Sequence, residues 1–401
     1  MNTKWLNGLN IFYDDSSNES LRGVLKTDVS GHLVGTYQGP KASGYTTLYG
    51  RLETKNGTLR PSYLLPAFTQ RTQKDVDTTP IQGSDDFVAV WASNDPGAFR
   101  IFARKYSVSE RQGIGAPFTE TLISGSNGDY VCPRVIYNPA NCQLFACWIG
   151  VTERQLQGIW LDKDTLEPTS YPVMITSAVY PTLFNPGADL DTSTYENIVL
   201  MNHGDGVIVG VQETLSKINF LRVGSPSSGK SPVNLITSYS QTGMGKFHAT
   251  FDTVHNNIML VYIGTSAYVY GDRVRVFGKA DQSEAEQYQS DQELQALSPV
   301  RLNNNVYASS QPYISAMPAT CGVIDFLVTW STGYTGIFFN RFDDAFIPLA
   351  AETSINPNDS GNTFPKAVAS DNQIAVLLQA TRFNGNALGA QGILAYVSNY
   401  D

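Results

Sequence analysis

A pair of strands recurs seven times along the chain, and that recurrence constrains the fold more than any single motif does. The first member is a short apolar strand, often ending in an aromatic residue. It reads Leu33-Val34-Gly35-Thr36-Tyr37, Phe87-Val88-Ala89-Val90-Trp91, Leu144-Phe145-Ala146-Cys147-Trp148 and Val207-Ile208-Val209-Gly210-Val211 in the first half. Ile258-Met259-Leu260-Val261-Tyr262, Phe326-Leu327-Val328-Thr329-Trp330 and Ile374-Ala375-Val376-Leu377-Leu378 complete the set. A partner strand follows each across a Gly-rich or polar loop, anchored at Leu48, Ile101, Ile159, Ile218, Val274, Ile337 and Ile393. The anchors recur with a mean spacing of about 57 residues, so each unit has room for one small sheet.

Two further strands belong to each unit. An upstream segment often opens with proline, as at Pro133-Arg134-Val135, Pro312-Tyr313-Ile314 and Pro365-Lys366-Ala367. A downstream segment does the same at Pro172-Val173, Pro232-Val233 and Pro299-Val300. Proline suits a strand's first residue, where its missing N–H falls outside the ladder. Turns rich in Asn, Asp, Gly and Ser join the strands into four-stranded antiparallel sheets. The best helical pattern, 282–297, is short and reads as an excursion between strands. Near-continuous apolar runs in the second strand require burial on both faces, which a radial stack of sheets supplies. The chain ends on a third strand, Gly392 to Val397, and carries a spare strand from Trp5 to Phe12. The expectation is an all-β, seven-bladed propeller, one domain over 1–401, with 5–12 completing the last blade and hiding two sheet edges.

The pattern of Pro133 to Ile159 and Pro312 to Ile337 (Pro-x-Val or its equivalent, an apolar strand ending in Trp, a loop and Gly-Ile) resembles the tandem propeller repeats of large bacterial surface and secreted proteins. That resemblance implies the fold and an exported protein, and it is compatible with many functions. No basic-then-apolar leader is visible in Met1 to Asp15, which departs from it. An extracellular surface or a virion remains the expected location over the cytoplasm.

Composition narrows the partners. Of 401 residues, 16% are charged and 42% hydrophobic, enough for a large core. The formal charge of −9 and the lack of a basic stripe disfavour nucleic acid. No apolar run reaches the roughly 18–20 residues of a membrane span. The sequence Gly224-Ser225-Pro226-Ser227-Ser228-Gly229-Lys230-Ser231 satisfies a phosphate-loop pattern, but it leads into Pro232-Val233-Asn234-Leu235-Ile236, a strand, where phosphate binding needs a helix N-terminus. Nucleotide binding is therefore not expected. Ser93-Asn94-Asp95-Pro96-Gly97-Ala98-Phe99 half matches the Asp-box of sialidases, occurs once and has no arginine triad beside it.

Strand parity puts the loops entering each blade and the loops between second and third strands on one rim. Tyr45, Phe99, Tyr268, Tyr334 and Phe383 lie near the tips of those loops. An aromatic face beside Gly, Ser or Asn can take a sugar ring, and repetition around a ring multiplies weak contacts. The simpler role for the same residues is to cover gaps between blades. Trp91, Trp148 and Trp330 end buried strands and belong to the core. His248 replaces the opening proline of its unit and would sit near the channel mouth as an acid, base or metal ligand. With Tyr262 it resembles the His/Tyr arrangement of propeller polysaccharide lyases and glycosidases. His203 and His255 fall in turns at the opposite rim. Asp189, Asp191, Ser193 and Asn197 resemble the calcium loops of integrin-type propellers, with too few charges for tight Ca²⁺ binding. No other cofactor is implied. If Tyr137 pairs with Cys142, Cys132 falls opposite Cys147, where either a cross-strand disulfide or two buried thiols could form.

The leading functional reading is a non-enzymatic, lectin-like or adhesin module that binds a glycan or polysaccharide through its loop rim. Two alternatives stay open: a structural or receptor-binding component of a phage tail, virion or other particle, and a polysaccharide lyase or glycosidase centred on His248.

Overall fold

The computed structural model describes residues 23–27, 31–40, 46–54, 58, 60–67, 70–95, 97–109, 111–176, 198–226, 231–276, 299–304, 309–317, 324–332, 336–354, 363–369, 373–384 and 387–399. Every described sheet is an antiparallel meander. The first joins β1 (Gly23–Thr27), β2 (Leu33–Pro40), β3 (Thr46–Glu53) and β4 (Tyr63–Leu64). The second joins β5 (Gln73–Pro80), β6 (Asp86–Asp95), β7 (Ala98–Ser109), β8 (Gly113–Gly115) and β9 (Thr121–Leu122), the last two both pairing with β7. The third is β10 (Tyr130–Asn138), β11 (Gln143–Gly150), β12 (Gln155–Asp162) and β13 (Val173–Thr176). Next come β14 (Ile198–His203), β15 (Gly206–Thr214), β16 (Lys217–Val223) and β17 (Val233–Ser240). The fifth sheet is β18 (Phe247–Asp252), β19 (Asn257–Ile263), β20 (Val269–Arg275) and β21 (Val300–Arg301). The sixth is β22 (Ser309–Ala316), β23 (Phe326–Thr332), β24 (Gly336–Phe342) and β25 (Thr353–Ser354). The last holds only β26 (Thr363–Ala369), β27 (Gln373–Asn384) and β28 (Ala387–Asn399).

The first strands form a closed circuit. β1 contacts β5, then β10, β14, β18, β22 and β26 follow in turn, and β26 returns to β1. The architecture is an all-β propeller of four-stranded antiparallel blades. The expectation of seven such blades is corrected: six sheets carry four or more strands, and β26–β28 has three. The strand expected at 5–12 to supply its fourth lies outside the described residues, as does the helical stretch 282–297. All of the third-strand anchors, from Leu48 in β3 to Ile393 in β28, fall where the repeat places them.

Alternation along the second strands explains their unbroken hydrophobicity. Val88, Val90 and Ala92 of β6 pack toward the third sheet with Leu144, Ala146 and Trp148. Phe87, Ala89 and Trp91 of the same strand pack toward the first sheet with Leu48 and Leu52. Side chains at successive positions leave opposite faces, so a strand with a sheet on either side needs apolar residues at every position. Trp91, Trp148 and Trp330 are fully buried, as expected of core residues, although β6, β11 and β23 each run on past them. Each such side chain contributes about 1.5–3 kcal/mol of burial free energy.

The upstream prolines do not open their strands. Pro133 and Pro312 sit inside β10 and β22, at bulges between Val131 and Arg134 and between Ser310 and Tyr313. Pro365 lies at the corresponding bulge of β26, between Thr363 and Lys366. β5 is bulged in the same place, between Lys74 and Asp77. Asp75, Cys132 and Gln311, each within its bulge, take φ of 58, 55 and 52°. A bulge leaves one residue out of the ladder, which accommodates a proline and re-aims the side chain that follows. The downstream prolines, 172, 232 and 299, do precede their strands directly.

Candidate functional site

One residue from each first strand joins a layer around the propeller axis. In each sheet, the residue paired with the fourth position of the second-strand repeat is the equivalent one. Register identifies it as Val24, Asp77, Arg134, Val199, His248, Tyr313 and Lys366 in successive first strands. All of them line a central cavity of about 330 Å³. The bulged strands supply Asp77, Arg134, Tyr313 and Lys366, the chemically distinctive members. Lys26, Lys246, Thr250, Gln311 and Ser315 add polar groups to the same wall.

Several layer residues lace one sheet to the next. The buried Asp77 carboxylate accepts the Val135 N–H at 2.9 Å. Arg134 Nε donates to the Ile198 carbonyl at 3.3 Å. His248 Nδ1 accepts the Ile314 N–H at 3.4 Å, and its ring stacks on Tyr313 with centroids 3.9 Å apart. Each contact satisfies a backbone group on a strand edge that no ladder reaches. Accepting through Nδ1 places the imidazole proton on Nε2. Burial, then the positive charges of Lys26, Lys366 and Arg134, hold the His248 pKa well below the ordinary histidine range. His248 is thus a neutral, committed side chain in a cationic surrounding.

His248 and Tyr262 do not meet. His248 pairs with Val261 while Tyr262 pairs with Phe247, so the two side chains leave opposite faces of the fifth sheet. Tyr262 is 1% exposed, with its hydroxyl 3.1 Å from that of Tyr239, which in turn lies 2.9 Å from Asp272 Oδ2. Burial pushes the Tyr262 phenol up to about 12. That hydroxyl cluster ties the fourth sheet to the fifth, on the face of the fifth sheet opposite to His248.

The rim aromatics have mixed placements. Phe99 follows the β6–β7 hairpin, packs against the clusters on both sides of the third sheet, and carries Lys74 Nζ 4.2 Å above its ring. Its backbone N–H is held by Asp129 at 2.8 Å. Tyr268 ends the tight β19–β20 loop, half-buried, with the Arg301 guanidinium 3.6 Å from its ring centroid. A cation thus occupies a face of each ring. Phe383 pairs with Leu388 in the β27–β28 hairpin. Tyr45, Tyr334 and the calcium-loop residues Asp189, Asp191, Ser193 and Asn197 lie outside the described residues. The segment after Gly224 leads into strand β17, with Val223 paired to Val233, so no helix faces a phosphate there.

The cysteine register is also corrected. Tyr137 pairs with Leu144 rather than with Cys142, because the β10–β11 hairpin closes at Asn138 and Gln143. That register puts Arg134, not Cys132, opposite Cys147. Cys132 and Cys147 are buried free thiols, and burial pushes the Cys147 thiol up to about 12. Cys142 is free and exposed.

Sequence reasoning missed Lys26, Arg134, Tyr313 and Lys366. For Arg134, Tyr313 and Lys366 the available signal was their place directly after each upstream proline. It also missed a charged group at the outer end of the fifth sheet: His255 Nδ1 lies 2.8 Å from the buried Asp252 and 3.5 Å from Asp344. Arg273, 3.8 Å from Asp344, completes that ion-pair network. Among the described residues, no helix is long and apolar enough to cross a membrane.

No family model matches the chain, and no curated protein matches it. Solved structures resemble it in fold. Trypanosoma rangeli sialidase in complex with sialic acid superposes with a TM-score of 0.48 at 9% identity, covering 99% of this chain and 59% of that one. The chain therefore spans about three fifths of the length of that sialidase. The six-bladed fucose-recognising lectin of Aleuria aurantia gives 0.40 at 12% identity, covering 80% of this chain and 95% of the lectin. A protein of unknown function from Dyadobacter fermentans gives 0.48 at 10% identity, covering 100% of this chain and 98% of its own. At these identities the likeness concerns the fold alone.

Proposed function

We propose that the protein is a non-enzymatic recognition module that seats a carbohydrate in its central channel. The observation that carries this reading is the single cavity to which every first strand contributes, with an aromatic stack and several side-chain donors and acceptors on one wall. Concave sites with a few convergent polar groups are the usual seats of small ligands. A sugar suits this one because Tyr313 offers apolar ring surface, while Arg134, Gln311, Thr250 and Ser315 can bond hydroxyls.

The same geometry argues against hydrolysis. Glycoside hydrolysis ordinarily needs two carboxyl groups across the scissile bond. Asp77 is the one carboxylate among the described lining residues, and it is committed to the Val135 N–H. A second reading, elimination by His248 with Tyr313, draws on their contact in the channel. The engagement of His248 Nδ1 by the Ile314 N–H argues against it. A glycan and polysaccharide screen that reads binding and product release together tests the proposal. Binding is expected without turnover, and Tyr313→Ala is expected to abolish it. Release of unsaturated or reducing ends would overturn the non-enzymatic reading, and binding unaffected by Tyr313→Ala would overturn the channel as the seat.

A further inference from the structure

The channel wall changes character around its circumference. Two residues beyond Arg134, His248 and Tyr313, and so on the same side of their strands, stand Ile136, Thr250 and Ser315. Register sets these three at one depth, each opposite the second position of its second-strand repeat. Leu200, opposite Val209 in the fourth sheet, lies one step nearer the first layer. All four line the cavity of about 330 Å³, and all four are half-buried. Ile136 and Leu200 rest on one apolar cluster, between the third and fourth sheets, and leave their remaining surface to the cavity. Ile198 and Val199 also line it but are buried in the sheet interfaces, so Ile136 and Leu200 make the apolar step on this side. The third and sixth sheets stand three places apart in the circuit of first strands, which sets this step across the axis from Tyr313 and Ser315. Aliphatic surface left open in a channel forgoes burial free energy that an apolar ligand group would recover.

We propose that the channel selects a sugar bearing a methyl group, at C6, on an ether oxygen or in an N-acetyl group, and seats that methyl on Ile136 and Leu200. This rests on the reading of the channel as the carbohydrate seat and names the class of ligand. Ring hydroxyls turn to Thr250 and Ser315, while Tyr313 covers an apolar face of the ring. Ser315 Oγ donates to the Ala316 carbonyl at 3.4 Å and keeps its lone pairs for a sugar hydroxyl. A sugar with hydroxyls all around its rim would press one of them against Ile136 and Leu200, where it loses water and gains no partner. A methyl in that place takes apolar surface out of solvent on both molecules.

Calorimetric titration of the full chain with matched pairs of neutral sugars that differ by one methyl tests the inference. The pairs are N-acetylglucosamine against N-formylglucosamine, L-rhamnose against L-lyxose, and 3-O-methylglucose against glucose. In at least one pair the methyl-bearing member is expected to bind about tenfold more tightly. Saturation-transfer NMR should then show its methyl protons as the most strongly saturated. The pair that responds identifies where the methyl is carried. Ile136→Thr and Leu200→Ala should each bring the ratio within that pair toward one. Equal affinity within every pair in wild type overturns the inference and leaves the carbohydrate reading standing. A methyl preference that both folded variants retain overturns the seat on Ile136 and Leu200. Silence of every sugar removes both readings. Where a variant fails to fold, the wild-type ratio and the saturation pattern still decide.

Discussion

His248 should make the protein acid-sensitive in a way that one substitution removes. Its ring is held neutral by burial first and then by the positive charges of Lys26, Lys366 and Arg134, with Nδ1 3.4 Å from the Ile314 N–H. The folded-state pKa lies well below the reference value of 6.5, to which the unfolded chain returns. A depressed folded pKa means that the unfolded state takes up the proton first. The stabilisation is therefore fully present above pH 6.5 and is lost as pH falls toward the folded value. Below pH 6.5 the loss approaches about 1.4 kcal/mol per pH unit until the folded group itself begins to titrate. Asparagine at 248 offers a non-titrating acceptor in place of Nδ1 and forfeits the stack on Tyr313. His248→Asn should thus be less stable than wild type by about 0.5–1.5 kcal/mol at pH 7.5. The gap should close or reverse by pH 5.5. Urea unfolding followed by tryptophan fluorescence at four pH values reads both effects. His203, whose pKa is also depressed by burial and by Arg222, titrates in both proteins and cancels in the difference. Parallel pH profiles for wild type and variant would refute the reasoning, as would a wild type that gains on the variant in acid.

Further outcomes are expected. His255→Gln should show the opposite sign: Asp252 raises the His255 pKa, so its contribution is complete below pH 6.5 and is lost as pH rises through the raised value. The same urea series, showing wild type and variant converging toward alkaline pH, checks this. Gly158→Ala would place a methyl 2.5 Å from Phe145 Cζ and 3.1 Å from Ile175 Cδ1, and overpacking there should cost about 1–3 kcal/mol in thermal unfolding. Tyr106→Phe removes the 2.7 Å bond that ties the second sheet to the Leu65 carbonyl. That carbonyl keeps Arg104 Nη1 at 3.1 Å, so a loss near 1 kcal/mol is expected in denaturant unfolding, and a loss above 3 would contradict the shared acceptor.

Much of the scaffold was legible in the chain. Each anchor from Leu48 to Ile393 falls in a third strand because burial of the second strand on both sides leaves an unmistakable apolar run. The buried tryptophans follow from the same pattern. The site was less legible. Pro133-Arg134, Pro312-Tyr313 and Pro365-Lys366 read as strand openings, yet each proline occupies a bulge inside its strand. A single unpaired residue changes what faces the axis, and sequence periodicity does not record it. His248 and Tyr262 stand fourteen residues apart in adjacent strands and read as neighbours; one step of register puts them on opposite faces. The Cys132–Cys147 pairing failed because the hairpin closes at Asn138 and Gln143, a register that sets Arg134 against Cys147.

What the amino-acid order determined alone was the unit and its repetition: local hydrophobic period and turn chemistry act within one sheet, and both are written along the chain. What only the tertiary structure decided was the meeting of Lys26, Arg134, Lys246 and Lys366 around one axis. Those residues come from different sheets spread over more than three hundred positions. Their distances depend on bulges, register and ring closure rather than on any local preference. Cations scattered thinly along an acidic sequence come to a common centre only when the circuit of first strands closes.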